Sequence, residues 1–302
     1  MTSVILFLSF FSIIVSSCSL DSKKPVDYSN RGIWFWAEPK SALGSSQILA
    51  NQLEQQRAID FLSENEFSRL YGEYQDTANY LIADWNESLN KAGIESQLLL
   101  AENVWIFPRQ RHLLFERIQK ELVDFNNSVD NNEQKFKALH LNIEPHALDL
   151  WKQASPTKRR DMLEQLLDTI KKSRAYLDKN SKDEIKIYFD LVVWYDEING
   201  TIAWQNKSDR DDWYTRFTAY LDGLSLMAYA RGYEAIIVNT AWEIENLDID
   251  INIAIDADIG EGRFWPTRAK FVQVLKQLEA QFTDKQNIDI HSFLSYYDDS
   301  NQ

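Results

Sequence analysis

Carboxylates recur in this sequence where apolar, β-rich runs come to an end. Glu38 closes GIWFWAE (32–38), Glu73 falls in FSRLYGEY (67–74), Glu102 closes ESQLLLAE (95–102) and Glu144 closes KALHLNIE (137–144). In the second half Asp190 lies in IKIYFDLV (185–192), Tyr229 ends DGLSLMAY (222–229), and Asp256 and Asp258 end INIAIDAD (251–258). Two carboxyl groups facing one cleft can divide the work of proton donor and base. Glu144 is the first choice for such work, because an apolar strand delivers it and Pro145 stops the strand immediately behind it. Partial burial there should raise its pKa, as a general acid requires. Asp256, Asp258 and Asp190 are its candidate partners. His146, two residues on, is placed to hold that carboxylate or to hydrogen-bond a substrate.

These residues need a scaffold that brings strand ends together. Eight β-rich runs, the seven segments above and NIDIHSFL (287–294), alternate with amphipathic stretches at 46–63, 76–92, 109–127, 157–180, 208–220, 233–247 and 266–282. The clearest helical period is in TRAKFVQVLKQLEAQF, with Phe271, Val274, Leu275, Leu278 and Phe282 on one face. Asp76 and Ser208 are plausible N-caps. Strict alternation of eight strands and seven helices predicts an α/β fold, a single (β/α)8 TIM barrel over 31–302 with its site at the strands' C-terminal ends. A doubly wound open sheet is the alternative, but AEPKSALG follows the first strand where that fold carries a Gly-rich turn. Alternation along strand four turns His140, Asn142 and Glu144 inward and Leu141 and Ile143 outward. His291 falls early in strand eight, which would set it deep in the barrel.

The chain has 302 residues, ten Trp, four His and a net charge of −14. That balance argues against nucleic acid, whose phosphates need clustered Lys and Arg. Trp34, Trp36, Trp105, Trp194 and Trp242 lie near strand ends, where a sugar ring could stack on an indole; core packing is the other reading. No Gly-rich phosphate loop and no G-x-S-x-G turn occurs, so no cofactor is expected. Glu144, His146, Asp190, Asp258 and His291 are the residues that could converge on a divalent ion, yet no H-E-x-x-H helix accompanies them and no metal is expected.

Residues 1–17 carry no charged side chain and contain an apolar run from Val4 to Val15. Such a run suits a signal peptide and is too short for a membrane span, which needs about 20 apolar residues. Val15-Ser16-Ser17-Cys18 resembles the lipobox of bacterial lipoproteins, although no Lys or Arg precedes the run. The resemblance implies cleavage before Cys18, the only cysteine, and lipid on its sulfur, so that residue would hold the protein to a membrane of the cell envelope. Residues 18–30 then read as a flexible tether. Ser19 favours the outer membrane over inner-membrane retention.

Four motifs together resemble a loosely characterised group of bacterial TIM barrels related to glycoside hydrolases. They are GIWFWAE at the first strand, NIEPH (142–146) at the fourth, MAY (227–229) at the sixth and the Ile290-His291 pair at the eighth. The resemblance singles out Glu144, His146, Tyr229 and His291, and it implies a polysaccharide or oligosaccharide partner. Trp36, Glu38, Glu102, His146, Trp194, Tyr229 and His291 become the candidate sugar-binding set around the catalytic candidates. Glycosidases hold their two carboxyls about 5–5.5 Å apart when retaining and about 6.5–9.5 Å apart when inverting. Asn142 stands where the pattern has Asp. That departure leaves room for a non-catalytic glycan-binding or polysaccharide-export accessory lipoprotein.

Overall fold

The computed structural model describes residues 31–282 and 286–300. The leader, Cys18 and the tether expected over 1–30 lie outside the described residues. The first half runs β1 (Arg31–Phe35), α1 (Ser45–Leu49), α2 (Gln52–Glu64), β2 (Phe67–Gly72), α3 (Asn79–Lys91) and β3 (Glu95–Ala101). It continues with α4 (Arg111–Arg117), a π-helical segment (Ile118–Asp124), α5 (Phe125–Ser128), β4 (Ala138–Asn142) and α6 (Asp149–Gln153). The second half runs α7 (Pro156–Asn180), β5 (Lys186–Val192), α8 (Lys207–Thr218), β6 (Gly223–Met227) and α9 (Tyr233–Asn246). It ends with β7 (Asp250–Asp256), α10 (Arg268–Gln281), β8 (Gln286–His291) and α11 (Phe293–Ser300). All eight strands pair in parallel and in chain order, and β1 closes on β8. The protein is therefore a (β/α)8 barrel, and the open-sheet alternative is excluded.

Each strand divides its residues between two cores. Outward residues such as Leu139, Leu141, Phe189 and Ile253 join the large apolar layer beneath the helices. Inward residues form a separate small cluster of Trp34, Tyr71, Leu99 and Ala254. The predicted stripe on α10 holds, with Phe271, Val274, Leu275 and Leu278 buried against the barrel. Each such side chain contributes roughly 1.5–3 kcal/mol when fully buried. Gly32 serves the lumen in another way: a Cβ there would collide with the Tyr71 hydroxyl and the Asp289 carboxylate.

Local boundaries differ from the sequence reading in a consistent direction. The strands β1, β2, β4, β6, β7 and β8 stop two or three residues before their predicted ends. The caps also move. Asn206, not Ser208, caps α8 by accepting from Asp209 N–H, and Ala78 precedes α3 without a side-chain cap. Asp76 instead occupies a left-handed turn at φ 58°.

Candidate active site at the barrel mouth

Below the mouth, the lumen is filled by hydrogen-bonded polar groups. Register sets Trp34 beside Tyr71, and Asp190 beside Ser225. Asp190 is 2 % exposed; its carboxylate accepts from the Trp34 indole at 3.0 Å and meets His140 Nε2 at 2.6 Å. The other His140 nitrogen meets Gln97 Oε1 at 3.2 Å, and the Tyr71 ring stacks on the imidazole at 4.0 Å. One layer deeper, Asp289 accepts from Tyr71 at 2.9 Å, Ser225 at 2.6 Å and Arg69 at 3.2 Å. Burial pushes the Asp190 carboxyl up, and His140 and Trp34 only partly offset it. Asp190, a catalytic candidate by sequence, is thus enclosed, with one oxygen on His140 and the other on Trp34.

Above this floor, six strand ends supply the mouth. Glu144 follows β4 by two residues, and its N–H donates to Asn103 Oδ1 at 2.7 Å. The single 3-10 turn Pro145–Ala147 folds the chain back, so His146 Nε2 lies 3.1 Å from Glu144 Oε2. His146 Nδ1 lies 3.1 Å from the Tyr195 hydroxyl. A neutral imidazole satisfies both contacts, donating from Nε2 and accepting at Nδ1. Burial pushes the Glu144 carboxyl up, but His146, then the Asn142 amide and the more distant His291, pull it below the usual carboxylate range. The expected rise is reversed because the turn supplies a partner that burial alone does not foresee.

Opposite lies the end of β7. Register places Asp256 beside His291, the last residue of β8. Asp256 is half-buried, and burial carries its carboxyl above the usual range although His291 opposes the shift. His291 accepts from the Trp36 indole at 3.2 Å and is ringed by Trp34, Trp36 and Tyr229, with centroids 5.8, 6.1 and 5.6 Å away. It belongs to the mouth rather than the depth of the barrel, because β8 begins at Gln286 and ends at His291. Tyr229 follows β6 and senses the charges of Asp190, Asp256, Glu144 and Asp289; burial first, and those charges next, hold its hydroxyl well above the usual tyrosine range. It therefore remains a neutral hydrogen-bond donor amid acids.

The remaining candidates separate clearly. Trp194 is half-buried against His146 and Tyr195, with centroids 5.4 and 4.8 Å away, and joins the mouth's wall. Asp258 faces the rim, where it ties the following loop through Arg263 at 3.2 Å and Phe264 N–H at 3.4 Å. Glu38 is exposed in a left-handed turn at φ 31°, and Glu102 is exposed and caps the short turn Asn103–Ile106. Neither is brought into the cluster around Glu144. Trp34 and Trp105 are buried, and the Arg210 guanidinium covers Trp242 at 4.0 Å, so these three offer no free face to a sugar. Tyr195 and Asn103 were not foreseen. Among the described residues no group of three or more His, Cys, Asp and Glu is arranged to hold a metal ion.

Neither a family model nor a curated protein sequence matches the chain. Solved structures do resemble it. Exo-β-1,4-mannosidase Op5Man5 from Opitutaceae bacterium strain TAV5 aligns with a TM-score of 0.53 at 11 % identity, over 90 % of this chain and 54 % of the enzyme. YKL-39, solved in the presence of chitooligosaccharides, aligns with a TM-score of 0.51 at 9 % identity, over 90 % of this chain and 95 % of that one. The Bacillus cereus spore cortex-lytic enzyme SleL aligns more weakly, with a TM-score of 0.46 at 9 % identity over 76 % of this chain and 50 % of that one. The chain spans about half the length of the mannosidase and of SleL. At such identities the likeness establishes the fold alone, a (β/α)8 barrel.

Proposed function

We propose that the protein is a cell-envelope glycoside hydrolase that acts on a polysaccharide, with Glu144 and Asp256 as its carboxyl pair. One observation carries this reading: the mouth holds two carboxyls, on β7 and just past β4, whose surroundings push their proton affinities in opposite directions. Asp256, whose proton affinity burial raises, is the proton donor to the glycosidic oxygen as the bond from that oxygen to the anomeric carbon breaks. Glu144, kept ionised by His146, either attacks the anomeric carbon or takes a proton from the water that does. Water finally supplies hydroxyl to the sugar and a proton to the enzyme, which restores both carboxyls. Tyr229 can donate to a sugar hydroxyl between them, and Trp36 and Trp194 supply apolar walls.

Lipid on Cys18 would place this mouth at the envelope, in the outer membrane where one exists, among its glycans. No described helix is long and apolar enough to cross a membrane. Labelling cells with a clickable fatty acid tests the anchor: label on the wild type and none on Cys18→Ala is expected, and an unlabelled wild type removes it. For the chemistry, the purified protein should release reducing sugar from at least one member of a polysaccharide panel. Glu144→Gln and Asp256→Asn should each lose about 10²–10⁴-fold in turnover while keeping binding. Binding without turnover in the wild type would instead support the glycan-binding accessory protein.

A further inference from the structure

Tyr195 follows β5 by three residues and is 2 % exposed. Its ring packs against Trp194 and against Trp151 of α6, with centroids 4.8 and 5.7 Å away, and its carbonyl accepts from the Trp204 indole at 2.8 Å. Backbone and ring are thus both held by aromatic neighbours. The hydroxyl is the one polar atom of this side chain, and its hydrogen-bond partner is His146 Nδ1 at 3.1 Å. A buried hydroxyl is costly to leave without a partner, so the contact constrains both residues.

The direction of the chain from Tyr195 to Glu144 follows from counting donors. An ionised Glu144 can only accept, so His146 Nε2, 3.1 Å away, carries the ring proton of the neutral imidazole. Nδ1 is left with a lone pair, and the Tyr195 hydroxyl donates to it. Without that hydroxyl the imidazole would keep a single hydrogen bond, about which the ring can turn. The bond at the far nitrogen therefore fixes the ring plane and the line from Nε2 to Glu144, as a partner at one ring nitrogen sets tautomer and orientation wherever the other nitrogen works. Burial first, and the Glu144 charge next, hold the Tyr195 hydroxyl well above the usual tyrosine range, so it remains a donor.

We propose that Tyr195 is a positioning residue for Glu144: acting through His146, its hydroxyl sets the tautomer and ring plane of the imidazole and so aims Nε2–H at the carboxylate. The inference deepens the reading of Glu144 as the ionised member of the pair and rests on it. Two NMR measurements on the full chain without ligand test it. In the wild type, nitrogen–proton correlation of the neutral His146 ring should show the proton on Nε2 and a bare, hydrogen-bonded Nδ1. The opposite tautomer overturns the proposal, and this result needs no variant to fold. Carboxyl titration then follows Glu144 in Tyr195→Phe, which keeps the ring and loses only the oxygen. The Glu144 midpoint should rise above the wild-type value and no further than in His146→Ala, and adding Tyr195→Phe to His146→Ala should change nothing more. The Asn142 amide and His291, the other groups that lower Glu144, are the same in all these proteins. An unshifted midpoint in Tyr195→Phe, or an equal rise with and without His146, overturns the proposal. No glycan enters either measurement, so a protein that cleaves no polysaccharide defeats the functional reading without altering these outcomes.

Discussion

The lumen and the mouth of this barrel are built from the same residue types and differ in how fully those residues are bonded. In the lumen Asp190 spends its oxygens on His140 and Trp34, and Asp289 spends its own on Tyr71, Ser225 and Arg69. At the mouth Glu144, Asp256, Tyr229 and His291 are half-buried, and each keeps part of its surface open. Saturated buried networks rigidify a core, whereas partly open titratable groups with displaced proton affinities are what chemistry requires. In the proposed reading the lumen is the support of the site.

That contrast can be broken most severely at the mouth's carboxyls. Glu144→Gln should lower turnover by about 10²–10⁴-fold and leave unfolding free energy within about 1 kcal/mol, as read by steady-state rates beside urea denaturation. Asp190→Ala should do the reverse. It strips acceptors from buried His140 and Trp34, so a loss of about 3–5 kcal/mol is expected, seen as a fall in Tm of roughly 10 °C. If this variant kept wild-type stability, the lumen could not be the rigid floor described.

A finer test separates the two mouth carboxyls by pH. The proposed reaction would need Glu144 ionised and Asp256 protonated, so its rate should follow a bell: the acid limb lies below the usual glutamate range and the alkaline limb above the usual aspartate range. His146→Ala removes the partner that pulls Glu144 down, and the acid limb should move to higher pH. The stability sign is consistent. A lowered folded pKa gives Glu144 a contribution that is present above the unfolded value and lost as pH falls through the folded one, and His146→Ala should abolish that acid-side loss. Smallest of all should be Glu38→Gln and Glu102→Gln, both exposed, with stability changes within about 0.5 kcal/mol and no measurable change in rate.

Much of the scaffold was legible because each strand is a compact run of branched and aromatic residues between amphipathic helices. Alternation also oriented His140, Asn142 and Glu144 correctly relative to Leu141 and Ile143. What periodicity could not see was where a ladder stops. The apolar run through β8 passes from Ile290 across Ser292 into Phe293 and Leu294, which open α11, so strand and helix merge in composition and His291 was read too deep. The direction of the Glu144 shift was hidden for another reason. It depends on a turn that brings His146 back and on Tyr195, which arrives from a loop 49 residues away. Asp289 and Tyr71 carried a weaker signal, as polar groups within otherwise apolar strands, and their meeting across the lumen is a product of closure.

The mouth is held to carry one carboxyl with a lowered and one with a raised proton affinity, and NMR titration of carboxyl carbons in protein labelled at Asp and Glu addresses this directly. Glu144 should titrate below the usual glutamate range and Asp256 above the usual aspartate range, with Glu144→Gln and Asp256→Asn assigning the signals. Two ordinary titrations, or the reverse order, would contradict the account.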